Sequence, residues 1–176
     1  MRTAASKASR RYGPLLAMAA LLTFMPLCLA QLEGSSKWTA ISQTAMSITG
    51  DIKSTPTTLT IAGHKLELRL VRQLNHDDTA NAAALLDTKI TPNLIGVLYQ
   101  THLSAGTKLQ GNNTLCGKND TTWIVILLSQ SNAPRSTADL YLANFSGSGE
   151  PDLRPSAIAT STHLCGTYWY EKSSST

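Results

Sequence analysis

Two copies of the tripeptide Leu-Cys-Gly contain the residues whose chemistry is most informative in this sequence. Cys116 and Cys165 lie at their centres and enclose 48 residues. Such a pair can form a disulfide, supply two ligands of a zinc site, or include a catalytic nucleophile. A zinc site needs two further ligands, and the sequence has neither C-x-x-C nor H-x-x-x-H spacing. His163, two residues before Cys165, is the nearest histidine.

The N-terminal segment favours the disulfide among these chemistries. Residues 1–30 contain four basic residues and then an apolar run that ends in Cys-Leu-Ala. This is the pattern of a signal peptide cleaved after Ala30, and it predicts a periplasmic or secreted protein. A lipid-modified Cys28 is the alternative. An even number of cysteines in an exported chain favours a disulfide. Closing a loop of this length would stabilise the fold by roughly 4 kcal/mol.

The densest polar cluster is His76-Asp77-Asp78. Imidazole and carboxylate groups are suitable ligands for a divalent cation, so the cluster is a candidate metal site. The alternative is a solvated loop in which Asp78 or Thr79 caps a short helix that runs through Leu86.

The densest aromatic cluster is Tyr168-Trp169-Tyr170. In a strand, the two tyrosines face one way and the tryptophan the other. An outward aromatic face is typical of a recognition surface, so these residues are candidate binding residues. The alternative is that all three pack in the core or cover the disulfide.

Catalytic motifs are absent from the sequence. It contains no G-x-S-x-G, H-E-x-x-H, Walker A or dinucleotide fingerprint, so we assign no catalytic residue and no cofactor. A small hydrolase or metal-dependent enzyme remains the alternative, with His76, Asp77, Asp78 or His163 as its candidates.

The charge of the mature chain argues against polyanionic partners. The whole sequence has 15 basic and 11 acidic residues, but four of the basic residues and no acidic residue lie in 1–30. Residues 31–176 therefore carry 11 of each sign. A neutral chain gives no charge-based reason to expect nucleic acid or anionic lipid as a partner.

Alternating apolar residues predict a mainly β domain. The clearest segment is LTIAGHKLELRLV, a hairpin whose turn is predicted at Gly63-His64. Five further segments are predicted strands: AMSITGDI, LIGVLYQTHL, TTWIVILLS, ADLYLANF and CGTYWYEK. TTWIVILLS is apolar on both faces and is expected at the centre of the sheet. About seven strands with at most one or two short helices predict a small antiparallel barrel or sandwich.

The predicted organisation is one domain with polar ends. Residues 31–37 are expected to be flexible, 38–172 to form the β-rich domain, and 173–176 to be a disordered tail. Asn112, Asn119 and Asn144 lie in N-x-S/T sequons, which we interpret as unmodified loop residues.

Three patches carry a resemblance to known proteins. AMSITGDI, GNNTLCG and LCGTYWYE resemble small exported proteobacterial proteins that lack an assigned function. The resemblance implies an exported β-rich domain with a Cys116–Cys165 pair. It supplies no catalytic residues.

These observations predict a non-enzymatic exported binding module, a monomer without a transmembrane segment in the mature chain. Its expected partner is a protein or a component of the cell envelope, and inhibition of an envelope-degrading enzyme is one concrete version. The second alternative, beside the enzyme, is a structural or stress-resistance factor of the envelope.

Overall fold

A single antiparallel sheet of nine strands dominates the computed structural model, which describes residues 34–129 and 138–173. The predicted leader and Cys28 lie outside the described residues. The strands are β1 (Ser36–Ala40), β2 (Ile52–Thr55), β3 (Thr58–Ile61), β4 (His64–Glu67), β5 (Arg69–Gln73), β6 (Leu94–Leu103), β7 (Thr121–Ser129), β8 (Asp139–Phe145) and β9 (Leu164–Lys172). Their order in the sheet is β4-β3-β2-β1-β9-β8-β7-β6-β5.

The two ends of this sheet meet, because β4 and β5 follow each other directly along the chain. Leu68 alone separates them, and β4 pairs with β3 while β5 pairs with β6. The Thr101 hydroxyl donates to the Glu67 carbonyl oxygen at 2.8 Å across the join. The sheet is therefore a nearly closed barrel. This confirms the predicted mainly β class, with nine strands instead of about seven.

Large side chains fill the barrel interior. Trp38, Tyr99, Tyr168 and Tyr170 are among the largest fully buried side chains, and they belong to one apolar cluster with inward aliphatic residues of every strand except β5 and β9. A barrel of about eight strands has an interior just wide enough to be filled by side chains or to hold one small ligand. Here the interior is used as a core.

A helical turn closes one end of the barrel, where the sequence predicted a strand. Residues Ala45–Thr49 form a single π-helical turn, and the Gly50 N–H bonds the Ala45 carbonyl oxygen at 2.8 Å. Ala45 and Thr49 are buried over the barrel end, whereas Met46 is exposed. The prediction of a strand in AMSITGDI was wrong because alternation of Met46 and Ile48 was mistaken for a pleat.

Two short helices form a second layer outside the barrel. They are α1 (His76–Leu85) and α2 (Pro155–Thr160). The apolar residues of α1 pack with outward residues of β6 and β7 in a second apolar cluster. The predicted helix is confirmed, but its predicted cap is wrong. Asn75 is the N-cap, and its side chain accepts from the Asp78 N–H at 2.8 Å.

The predicted hairpin is β3–β4, with its turn one residue earlier than predicted. Ile61 pairs with His64, so Ala62 and Gly63 form the turn. Both have positive φ, 47° and 85°, as a two-residue hairpin turn of type I′ requires. The predicted turn at Gly63-His64 was wrong by one residue, because glycine is preferred at the second position of such a turn, whereas the prediction places it at the first.

Backbone hydrogen bonds and strand pairing involve residues at both predicted ends of the domain. Ser36 and Lys37, the described strand residues of the segment predicted to be flexible over 31–37, belong to β1 and pair with β2. At the other end, the Ser173 N–H bonds the Lys37 carbonyl oxygen at 3.0 Å, which ties down the first residue of the predicted tail. Among the described residues, no helix is long and apolar enough to span a membrane.

Candidate functional site

An apolar row crosses the outer face of β1, β9 and β8. Ile41 follows β1, and its N–H bonds the Trp169 carbonyl oxygen on β9 at 3.0 Å. Trp169 lies opposite Tyr141 on β8. Their ring centroids are 6.2 Å apart with planes at 69°, an edge-to-face pair. We call Ile41, Trp169 and Tyr141 the apolar row.

One end of the apolar row lies beside the helical layer, and the other end is exposed. Tyr141 lies opposite Leu127 on β7, which is fully buried in the cluster that α1 covers. Exposure increases toward β1: Tyr141 and Trp169 are partly exposed, and Ile41 is 46% exposed. The row therefore offers a partner an aromatic and aliphatic surface that is anchored at one end in the core.

Two carboxylates border the apolar row. Asp139 and Glu171 lie directly opposite each other, two residues from Tyr141 and Trp169 along the same strands. Burial raises the pKa of Asp139, repulsion from Glu171 adds to the rise, and a hydrogen bond with Tyr141 opposes it. The apolar row thus has a negative edge.

The structure separates the three aromatic residues predicted to act together. Tyr168 and Tyr170 are 0% exposed inside the barrel, where a partner outside cannot touch them. The Tyr170 and Thr49 hydroxyls are 2.7 Å apart, which connects the last strand to the turn that closes the barrel. Of the three, Trp169 alone is partly exposed.

Burial of the tyrosines predicts alkaline sensitivity. Burial raises the pKa of Tyr168 from 10.0 to about 12, and it raises that of Tyr170 as well. A raised pKa gives stability that is complete below pH 10 and is lost as the pH rises toward 12, because the unfolded phenol ionises first. We expect Tyr168 to contribute a loss of about 3 kcal/mol in unfolding free energy across that window. Denaturant titrations at several pH values measure the slope, which Tyr168→Phe should flatten; an unchanged slope contradicts this.

The predicted disulfide joins Cys116 to Cys165. Their Cα atoms are 4.8 Å apart, within the usual range for a disulfide. Cys116 lies in the loop before β7, and Cys165 is the second residue of β9, so the bridge fastens the last strand as expected. The Asn144 amide group donates to the Cys116 sulfur at 3.5 Å. Asn144 is fully buried, so its sequon is inaccessible in the folded domain.

The candidate metal residues lie in the first turn of α1. Asp78 forms an ion pair with Arg72, its carboxylate 2.7 Å from the guanidinium, and Arg72 also contacts Glu150 at 2.7 Å. Within 34–129 and 138–173, no group of three or more His, Cys, Asp or Glu side chains is placed to hold a metal ion. His76, Asp77 and Asp78 therefore do not belong to such a group in this part of the chain.

One histidine lies between a serine and an aspartate, as a hydrolase would require. His102 Nε2 is 3.3 Å from Ser104 Oγ, and His102 Nδ1 is 4.0 Å from Asp120 Oδ2. The second distance is too long for a hydrogen bond, and the His102 and Asp120 side chains are 65% and 49% exposed. Asp120 instead accepts from the Ala105 N–H at 2.7 Å, which fixes the loop after β6. Water reaches every member, so this is the geometry of a surface contact.

The other enzyme candidate, His163, is an exposed residue in front of β9. Its carbonyl oxygen accepts from the Ser146 N–H at 2.8 Å. Its ring packs on the turn at Gly147, where an added Cβ would lie 3.0 Å from Nδ1. These contacts give His163 a role in shaping the loop between β8 and β9.

A surface groove of about 660 Å³ lies where the barrel closes. Several of its polar groups are already engaged: Arg69 donates to the Gln100 side chain, and Thr101 donates to the Glu67 carbonyl oxygen. The groove therefore offers a partner less than the apolar row does.

The chain matches no family. Comparisons with protein-family models, curated proteins and solved structures find no match. The sequence pointed to Trp169, whereas Ile41 and Tyr141 were missed. Only the strand register brings these residues beside Trp169, and the alternation in ADLYLANF was the one available signal.

Proposed function

We propose that this chain is an exported, non-enzymatic binding module that recognises a protein or a cell-envelope component through the apolar row. The observation that carries the proposal is the edge-to-face pair of Trp169 and Tyr141, left partly exposed on a barrel whose interior is filled. A filled interior directs recognition to the outside. Tryptophan and tyrosine are enriched among the residues that anchor protein interfaces.

The disulfide supports the exported part of the proposal. Intramolecular disulfides form and persist in oxidising compartments, which include the periplasm and the extracellular space. The Cys116–Cys165 bridge is consistent with the N-terminal pattern that predicts a signal peptide. Inhibition of an envelope-degrading enzyme is a concrete form of this function, since it needs a rigid surface and no catalytic group.

Replacement of Trp169 by alanine is expected to weaken partner binding by about 30-fold or more, the loss typical of an interface hot spot. Immobilised oxidised protein is exposed to envelope extracts and to secreted proteins, and the affinity of each captured partner is then measured for wild type and variant. Thermal unfolding of the variant shows that the barrel is intact.

A matched pair of aliphatic variants controls the experiment. Ile41→Ala removes an exposed side chain of the apolar row, and Ile90→Ala removes one that is 56% exposed in the loop after α1. Ile41→Ala should weaken capture and Ile90→Ala should leave it unchanged. Wild-type protein that captures nothing, or equal losses in both variants, would count against the proposal.

A further inference from the structure

The outer face of β1, β2, β3 and β4 carries a second surface. The described helices pack on the other side of the barrel, against β6 and β7. On the four strands from β1 to β4, the outward residues are lysines, threonines and one glutamate: Lys37, Thr39, Lys53, Thr55, Thr58, Thr60, Lys65 and Glu67. None of them is aromatic or bulky and apolar.

The strand register places three of these lysines in one row across the sheet. Lys37 lies opposite Lys53, Lys53 opposite Thr60, and Thr60 opposite Lys65. We call these four residues the lysine row. Neighbouring strands are about 4.8 Å apart, so the row extends about 14 Å across four strands. Net charge gave no reason to expect an anionic partner, but the register gathers three of the lysines on one face.

The arrangement of charges in the lysine row is costly for the fold. Like charges placed directly opposite each other on a sheet are destabilising. Lys65 is paired with Glu67 at 2.7 Å, but Lys37 and Lys53 have no ion-pair partner among the described residues. Two other carboxylates belong to this region: Glu171 lies opposite Thr39, and Asp51 accepts from the Ala40 N–H at 3.0 Å.

We propose that the lysine row docks the barrel onto the phosphate groups of an anionic lipid surface. Ammonium groups with a threonine hydroxyl between them are donors suited to phosphate oxygens. The face is the convex outside of a barrel, so it can touch a surface tangentially. It offers no aromatic side chain on which nucleic-acid bases would stack. The proposal goes beyond the binding function proposed above and does not depend on the apolar row.

Docking through the lysine row leaves the apolar row accessible. Lys37 lies on the outward side of β1, and Ile41 follows that strand four residues later, a distance of about 13 Å. A barrel that rests on lipid through β1–β4 presents β8 and β9 to its side. The surface would then hold the module where its partner is found.

Binding to vesicles tests the lysine row. The oxidised exported protein is sedimented with vesicles of equal parts phosphatidylglycerol and phosphatidylcholine, and with vesicles of phosphatidylcholine alone. Each lysine near an anionic surface strengthens binding by about five-fold. We therefore expect Lys37→Gln with Lys53→Gln to weaken binding to the anionic vesicles by about 25-fold. High salt should abolish wild-type binding, because screening shortens the range of the charges.

The matched control is Lys89→Gln with Lys118→Gln. Both lysines are exposed, lie away from the row and give the same change in net charge. The control should bind within two-fold of wild type. Equal binding to both kinds of vesicle, no binding to either, or an equal loss in the control would overturn the proposal, and so would capture of an acidic protein by the row without vesicle binding.

The two surfaces can fail separately. Trp169→Ala should bind anionic vesicles as wild type does, while losing its captured partner. The Lys37→Gln, Lys53→Gln variant should keep its affinity for a soluble partner. Loss of vesicle binding in Trp169→Ala would show that lipid contacts the apolar row and would overturn docking through the lysines.

Discussion

Reduction of the Cys116–Cys165 disulfide is expected to lower the free energy of unfolding by about 4 kcal/mol. The bridge joins residues 49 positions apart, and the unfolded chain gains the entropy of that loop when the bridge opens. The loss is a large share of the 5–15 kcal/mol that holds a typical domain together. For a domain of this size we expect the melting temperature to fall by about 10 °C. Thermal and urea unfolding with and without reductant measure both quantities.

The double variant Cys116→Ala, Cys165→Ala is the control for this result. It should unfold near the temperature of the reduced wild type and should not respond to reductant. Since Cys165 is the second residue of β9, hydrogen exchange in β9 should rise more than in β6 or β7 when the bridge is lost. A reduced protein as stable as the oxidised one would show that β1 and β8 hold β9 without the bridge.

The strands predicted best are the long ones whose sequence pattern matches the burial of their two faces. LIGVLYQTHL, TTWIVILLS and ADLYLANF became β6, β7 and β8, and the run that is apolar on both faces is buried on both faces. One face of β7 lines the barrel interior and the other lies under α1. Local sequence predicts such strands because the polarity of each side chain indicates whether its position is buried or exposed.

The short strands were less predictable. β2 has the sequence IKST, in which one residue of four is apolar, and β1 has the sequence SKWTA, in which two residues of five are apolar. Neither is long enough for a periodic signal to exceed chance. The place of β1 in the sheet is fixed partly by its pairing with β9, an interaction between distant parts of the chain, whereas β2 forms a local hairpin with β3.

Both proposed surfaces depend on the register between paired strands. Trp169 could be recognised from its cluster, but Ile41 and Tyr141 become its neighbours through β1 and β8. Lys37, Lys53 and Lys65 are likewise scattered over 29 residues of sequence and are aligned by three successive strand pairings. A sequence pattern gives the face of a residue, whereas its partners across the sheet require the fold.

Replacement of Trp38 by alanine is expected to cost about 3–5 kcal/mol of unfolding free energy, the loss usual for a buried aromatic residue. Trp38 is 2% exposed, and its indole N–H donates to the buried Ser54 hydroxyl at 2.8 Å. Trp38→Phe keeps most of the volume and leaves the Ser54 hydroxyl without its donor, so we expect a smaller loss of about 1–3 kcal/mol. Urea unfolding of the oxidised variants measures the difference.

The Trp38→Ala variant also tests where recognition takes place. It leaves a cavity inside the barrel, and apolar cavities in protein cores bind small apolar molecules. Indole should therefore raise the melting temperature of the variant and not that of the wild type, because it binds only the folded, hollow barrel. Partner capture through Trp169 should survive in the folded variant, since Trp38 faces the interior and Trp169 the outside. Loss of capture in a folded Trp38→Ala protein would mean that the interior takes part in recognition after all.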